Sequence, residues 1–184
     1  MKKFILFYLF VNYNKCGDTM KEIMIITGAS SGMGKEFARQ IEKKYQVDEL
    51  WVIARRKERL ESLKEMLETK VRVFALDLTQ KESFEILQET LLKEKPRVKV
   101  LVNCSGYGKL DHYENMSLET IENMMNLNML AVVKMVNTVL PYMHKESHIV
   151  NFASCSGYMP IPYLNIYAAS KAFVLNYSRA LMKN

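Results

Sequence analysis

Cysteine is scarce in this chain: Cys16, Cys104 and Cys155 are the only three in 184 residues, and none form a Cys-x-x-Cys pair. An odd, scattered set implies free thiols and a reducing compartment, so a cytoplasmic location is expected. Cys104 and Cys155 follow neighbouring motif positions, where a disulfide is conceivable but small apolar packing is the simpler role. Histidine is equally sparse. His144 and His148 have i, i+4 spacing, but the strand-like run His148-Ile-Val-Asn151 ends any helix there and no third ligand follows, so no metal is expected. The seven glycines and four prolines gather into no linker, and no repeat or low-complexity segment appears. Nor is there a block of cations interleaved with aromatics. The formal charge of +6 is dispersed, with Glu alternating among the cations from Arg55 to Glu61 and from Lys81 to Lys95. That is a solvated helix face and argues against a nucleic-acid partner. Long apolar runs are missing too. Phe4 to Val11, after Lys2-Lys3, imitates a secretory leader, but no Ala-x-Ala site follows. It is far short of the ~20 residues that cross a bilayer, so no stable membrane anchor is expected.

What is present fits one globular domain with a sizeable core, since 49% of the residues are hydrophobic. Residues 1–19 read as a flexible extension, or a start assigned too early, and residues 20–184 as the domain. Short apolar runs at 23–27, 49–54, 71–76, 98–103 and 149–153 read as buried strands. Helical periodicity fills 33–45, 57–69, 80–94, 117–143 and 164 to the end. Strands alternating with helices predict an α/β fold with a doubly wound parallel sheet. Met116, Met124, Met125, Met129, Met135 and Met143 cluster on and around the fourth helix, where adaptable packing is their expected role.

Two motifs carry chemistry. Tyr167 and Lys171, in Tyr-Ala-Ala-Ser-Lys, share one face of a helix, and Ser154 lies thirteen residues upstream. A phenol titrates near ~10, and an adjacent ammonium would lower that value. With the serine holding a substrate oxygen, the three groups make an acid–base site for carbonyl/alcohol chemistry. Near the start, Glu22-Ile-Met-Ile-Ile-Thr27 runs into Gly28-Ala-Ser-Ser-Gly32-Met-Gly34 and a helix. Gly28 permits the tight turn, Gly32 lets the backbone approach a diphosphate, and Gly34 allows close helix–strand packing. The helix offers free N–H groups to phosphate.

Together these motifs resemble the short-chain dehydrogenase/reductase family over residues 21–184. Thr27 through Gly34, which includes Ser30, Ser31 and Met33, is similar to that family's cofactor loop. Asp77, followed by Leu78, matches its adenine-bordering aspartate. Asn103-Cys104-Ser105-Gly106 is similar to its Asn-Asn-Ala-Gly segment, with two substitutions. Asn128 falls at its structural-catalytic asparagine, completing a tetrad with Ser154, Tyr167 and Lys171. The resemblance implies a Rossmann-like sheet in strand order 3-2-1-4-5 and a homodimer or homotetramer. It implies hydride transfer between a nicotinamide and a small-molecule ketone, aldehyde or alcohol. Tyr167 would exchange the proton, Lys171 would also hold the nicotinamide ribose, and Asn128 would position Lys171 through water. Tyr107, Tyr158, Met159, Pro160, Ile161, Pro162 and Tyr163 would present an apolar substrate wall.

At the end of the second strand, where the family selects its cofactor, Arg55 and Arg56 replace an acidic residue. They favour NADP, with NAD as the alternative, because guanidinium groups grip a 2′-phosphate. Family members continue through a sixth strand, a Pro-Gly segment, a lid and a seventh strand. The chain therefore reads as carboxyl-terminally truncated, with its fifth strand an open edge and weak turnover expected. A second reading stays open: a non-catalytic nucleotide-binding or interaction protein, or an inactive fragment, keeping the half-fold. The complete tetrad favours the enzyme.

Overall fold

The computed structural model describes residues 6–11 and 20–182. Six strands form one sheet: β1 (Leu6–Val11), β2 (Glu22–Thr27), β3 (Glu49–Ala54), β4 (Val71–Ala75), β5 (Arg97–Asn103) and β6 (Met143–Phe152). The order across the sheet is β4-β3-β2-β5-β6-β1. Strands β2 to β6 are parallel and correspond to the five expected ones, in the expected order 3-2-1-4-5.

Side chains alternate along the parallel strands and fill two cores. Ile23, Ile25, Trp51, Ile53, Leu101 and Ile149 face one layer of helices, α3 (Lys81–Glu94) and α5 (Ala131–Val139). Met24, Ile26, Leu50, Val52, Val102 and Val150 face the other, α1 (Gly32–Ile41) and α2 (Lys57–Lys64). Each fully buried aliphatic side chain contributes roughly 1.5–3 kcal/mol. Helices on both faces are what a two-sided apolar strand requires. In β5 the register slips between Val98 and Val100, and Val98 and Val100 accordingly join opposite cores.

Several features differ from the sequence reading. The fifth expected strand, β6, is not an open edge: β1 pairs with it antiparallel, Leu6 opposite Phe152 through Val11 opposite Ser147. The run Leu-Phe-Tyr-Leu-Phe-Val is rich in strand formers, and the unpaired N–H and C=O groups of an edge recruit such a segment. Residues 1–5 and 12–19 of the expected extension lie outside the described residues, as does Cys16. The expected helix over 117–143 is divided into α4 (Leu118–Met125), a π-turn at Asn126–Leu130, α5 and a short 3₁₀ turn at Leu140–Tyr142. Helix α2 also stops at Lys64, five residues early. Helix α6 (Asn165–Leu181) follows a 3₁₀ turn at Cys155–Gly157 and packs against β6 and the π-turn. No described helix is long and apolar enough to cross a membrane.

Candidate active site

At the carboxyl ends of the parallel strands lies a cavity of about 470 Å³. Its lining includes Gly28, Ser30, Ser31, Gly32, Met33 and Gly34 from the turn between β2 and α1. Arg55 and Arg56 join it from the end of β3, and Asp77 and Leu78 from the end of β4. This is where open α/β sheets bind ligands, outside the strand ends at the point where strand order reverses. Two glycines make the cradle. Gly28 sits at φ +70°, and a Cβ there would lie 2.8 Å from the Cys104 backbone; a Cβ on Gly34 would overlap the Gly28 carbonyl. Thr27 Oγ1 locks the same corner by accepting from the N–H groups of Cys104 and Ser105, both at 3.1 Å. Helix α1 opens with no acidic residue in its first turn, leaving its positive end facing the cavity.

The two arginines are placed differently. Arg56 donates to Ser31 Oγ at 2.6 Å and Ser30 Oγ at 3.1 Å. Arg55 stands 3.8 Å from the Asp77 carboxylate. Asp77 in turn accepts from Thr79 N–H and hydroxyl. A dinucleotide fits this set of donors: the glycine cradle and the helix end offer backbone N–H groups to a diphosphate.

The tetrad gathers beyond Gly106, another lining residue, where a Cβ would lie 2.9 Å from Asn128 Oδ1 and 3.6 Å from Lys171 Nζ. Asn128 is fully buried because the π-turn rotates it inward; the Ala131 N–H reaches back to Asn126 O across the bulge. Its amide donates to Tyr107 O at 2.8 Å and Ser170 Oγ at 3.1 Å, and accepts from Tyr107 N–H at 3.0 Å. Ser170 donates onward to Tyr167 O at 2.7 Å. Ser154 is buried, accepts from Ser156 N–H and lies beside the Tyr167 phenol, which its hydroxyl influences. Lys171 Nζ donates to Phe152 O at 2.6 Å and lies 5.7 Å from the centre of the Tyr167 ring.

The titration of the pair departs from the expectation of a lowered phenol. Burial pushes Tyr167 above its ordinary value despite the Ser154 hydrogen bond, and Cys155 adds to the rise. Burial lowers the Lys171 ammonium to about 8, against a smaller opposing effect of Cys104. Lys171 Nζ is committed to the Phe152 carbonyl, and burial is the largest cause of both shifts. Cys104 and Cys155 are free thiols, and burial pushes Cys104 up to about 12, which leaves it unreactive.

Asn103 sits beneath the cavity rather than on its wall. It is buried and donates to Asn151 Oδ1 at 2.9 Å, while its own Oδ1 has no hydrogen-bond partner among the described residues. The apolar wall divides. Tyr107 lines the first cavity, whereas Tyr158, Met159, Pro160 and Ile161 line a separate one of about 390 Å³ against Ala168, Ala169 and Ala172 of α6. Ser170, missed in the sequence, had a signal, since it lies inside the Tyr-to-Lys motif. Phe152, acting through its carbonyl, had none. His144 and His148 lie on β6, and no cluster that could hold a metal occurs among the described residues.

A family profile described as short chain dehydrogenase matches residues 22–184. A 3-ketodihydrosphingosine reductase of Bacteroides thetaiotaomicron is 36% identical over 162 residues, covering 87% of this chain and 57% of that protein. A very-long-chain 3-oxoacyl-CoA reductase of Mus musculus is 31% identical over 177 residues, covering 90% and 55%. The chain thus spans little more than half the length of these relatives. A serine dehydrogenase solved in its closed form with NADP+ superposes with a TM-score of 0.78 at 31% identity, covering 88% of this chain and 65% of that one. On this sequence match, this sheet and this site, the chain belongs to the short-chain dehydrogenase family.

Proposed function

We propose that this chain carries the nucleotide-binding and acid–base machinery of an NADP(H)-dependent oxidoreductase that interconverts a lipophilic ketone and its alcohol. The observation that carries the reading is the meeting of Ser154, Tyr167 and Lys171 beside a glycine-cradled cavity walled by Arg55 and Arg56. When bound, the nicotinamide supplies or accepts the hydride. Gly28, Gly34 and the α1 amino end would hold the diphosphate, and Arg56 with Ser30 and Ser31 would take a 2′-phosphate. The NADP+ in the serine dehydrogenase neighbour supports that choice.

Ser154 would orient the substrate carbonyl oxygen. Tyr167, a phenol pushed by burial above its ordinary value, would give that oxygen its proton in the reductive direction. Lys171 would steady the phenolate that remains. A long-chain 3-oxo compound as substrate is supported by the names of the two relatives and by the apolar side chains beside the site. An oligomer is supported by Leu118, Met125, Leu130 and Phe173, all exposed on the α4 to α6 region.

The test is NADPH consumption with a panel of short and long 3-oxo esters, in wild type and Tyr167→Phe. We expect the long esters to turn over fastest. The phenylalanine variant should lose activity by a factor of about 10² to 10⁴ while keeping nucleotide affinity. Variant rates within tenfold of wild type would remove Tyr167 from the acid–base role.

A further inference from the structure

We infer that Gly108 is a positioning residue for the Tyr167 phenol. The loop following β5 forms a strap whose backbone lies on the tyrosine ring and whose two ends are pinned, so the ring is wedged between strap and helix. This rests on the reading above only in taking Tyr167 as the proton-transfer group.

A Cβ added at Gly108 would lie 2.8 Å from Tyr167 Cδ2, 2.9 Å from Cγ and 3.3 Å from Cε2. Real side chains do not tolerate such distances, so the glycine is needed here for closeness. Backbone conformation does not demand it, because Gly108 is absent from the positive-φ glycines, Gly28, Gly32 and Gly106. The strap cannot simply back away. At its near end both backbone groups of Tyr107 are held by the buried Asn128 amide, and the Tyr107 hydroxyl reaches Asn123 Oδ1 at 3.2 Å. At its far end the Asp111 N–H donates to Tyr163 O at 3.0 Å, and the His112 ring meets the Tyr163 ring edge-on at 4.6 Å. Tyr163 itself adopts φ 62°, a left-handed conformation that a tyrosine enters at a cost and keeps only where its surroundings impose it.

The strap therefore joins the loop before α6 across the face of Tyr167. The chemical consequence is orientation. A phenol that must deliver a proton along one line gains from a ring that cannot tilt, and a displacement of ~1 Å costs about a hundredfold in rate. The groups facing the phenol are Lys171 on its own helix and Ser154 and Cys155 on the turn after β6; on the strap, Lys109 and Asp111 pair with each other at 3.0 Å.

The experiment follows Tyr167 directly, in protein labelled with ¹³C at the tyrosine Cζ, its resonance assigned by loss in Tyr167→Phe. Gly108→Ala should move that resonance and its titration midpoint, leave the other tyrosines in place and keep the NADPH Kd within about twofold. In turnover it should lower kcat by roughly ten- to a hundredfold, with the nucleotide KM unchanged. Adding His112→Ala, which removes one of the two contacts at the far end of the strap, should restore part of both. A Tyr167 resonance identical to wild type would overturn the proposal, and so would a general shift of every tyrosine with loss of NADPH binding. If Gly108→Ala fails to fold, His112→Ala alone must move the Tyr167 resonance, and no movement overturns the proposal equally. A moved Tyr167 resonance in a protein that never turns over substrate would keep the strap and reject the enzymatic reading.

Discussion

The two ends of the parallel strands treat buried charge in opposite ways. At the amino end Glu49 opens β3 with its carboxylate 2% exposed, and it is fully partnered. Lys21 at 2.5 Å, Lys70 at 3.3 Å and Arg72 at 3.3 Å surround it, and Trp51 Nε1 donates at 2.7 Å. Glu94 extends the network by pairing with Lys21 and Arg72, and Arg72 also covers the Trp51 ring. Burial pushes Glu49 upward, but the Lys21 and Trp51 hydrogen bonds outweigh it and hold the acid below its ordinary value. At the carboxyl end Lys171 is buried against a backbone carbonyl, Asn103 Oδ1 has no partner among the described residues, and Tyr167 is pushed up by burial. Charge at one end is neutralised where it lies; at the other it is held at a cost. The first pattern is what stability needs, and the second is where reacting groups are found.

Breaking the amino end should have the larger effect on folding. Glu49→Gln leaves Lys21 and Arg72 without their shared carboxylate, and we expect a loss of about 3 kcal/mol in denaturant unfolding. The wild-type contribution is present above pH 4.5, the ordinary value for this acid, and falls away as the pH drops through the lowered folded-state value. The variant should lack that acid slope, while its NADPH affinity stays unchanged.

The carboxyl end should respond with the opposite sign. Lys171→Met removes an ammonium whose folded-state value, about 8, lies below the ordinary 10.5. The folded state binds fewer protons between those values, so wild-type stability rises with pH across that window and is lowest below it. We therefore expect the methionine variant to be about 1–3 kcal/mol more stable at neutral pH, to lose the alkaline slope and to be inactive. A less stable variant would show that the Phe152 hydrogen bond outweighs the desolvation.

The smallest effect separates the two arginines. Arg56→Ala removes the group already bonded to Ser30 and Ser31, and should weaken NADPH by about tenfold without altering NADH. Arg55→Ala, whose guanidinium faces Asp77, should change NADPH affinity by less than about threefold.

The parallel sheet was legible because each strand carries apolar residues on both faces, as in Met24–Ile26 and Leu50–Ile53, and its order followed from a family resemblance. The cavity lining was legible for a related reason: Gly28, Gly34, Arg55, Arg56 and Asp77 each end a strand or open a helix, and strand ends share one edge. What escaped depends on contacts between distant segments. The π-turn at Asn126–Leu130 keeps helical periodicity on either side, so nothing in Asn-Leu-Asn-Met-Leu announces it. The pairing of Leu6–Val11 with β6 needs a partner 140 residues away. Gly108 has no unusual φ, and its importance appears only once Tyr167 lies against it. The i, i+4 spacing placed Tyr167 and Lys171 on one helix, as in α6, but the direction of the phenol's shift depends on burial, which spacing does not encode.

The most direct measurement is a calorimetric titration of the chain with NADPH and, separately, with NADH. We expect saturable one-to-one binding of NADPH at least about tenfold tighter than that of NADH, because Arg56 with Ser30 and Ser31 would take the extra phosphate. Equal affinity for the two nucleotides, or no saturable binding of either, would contradict it.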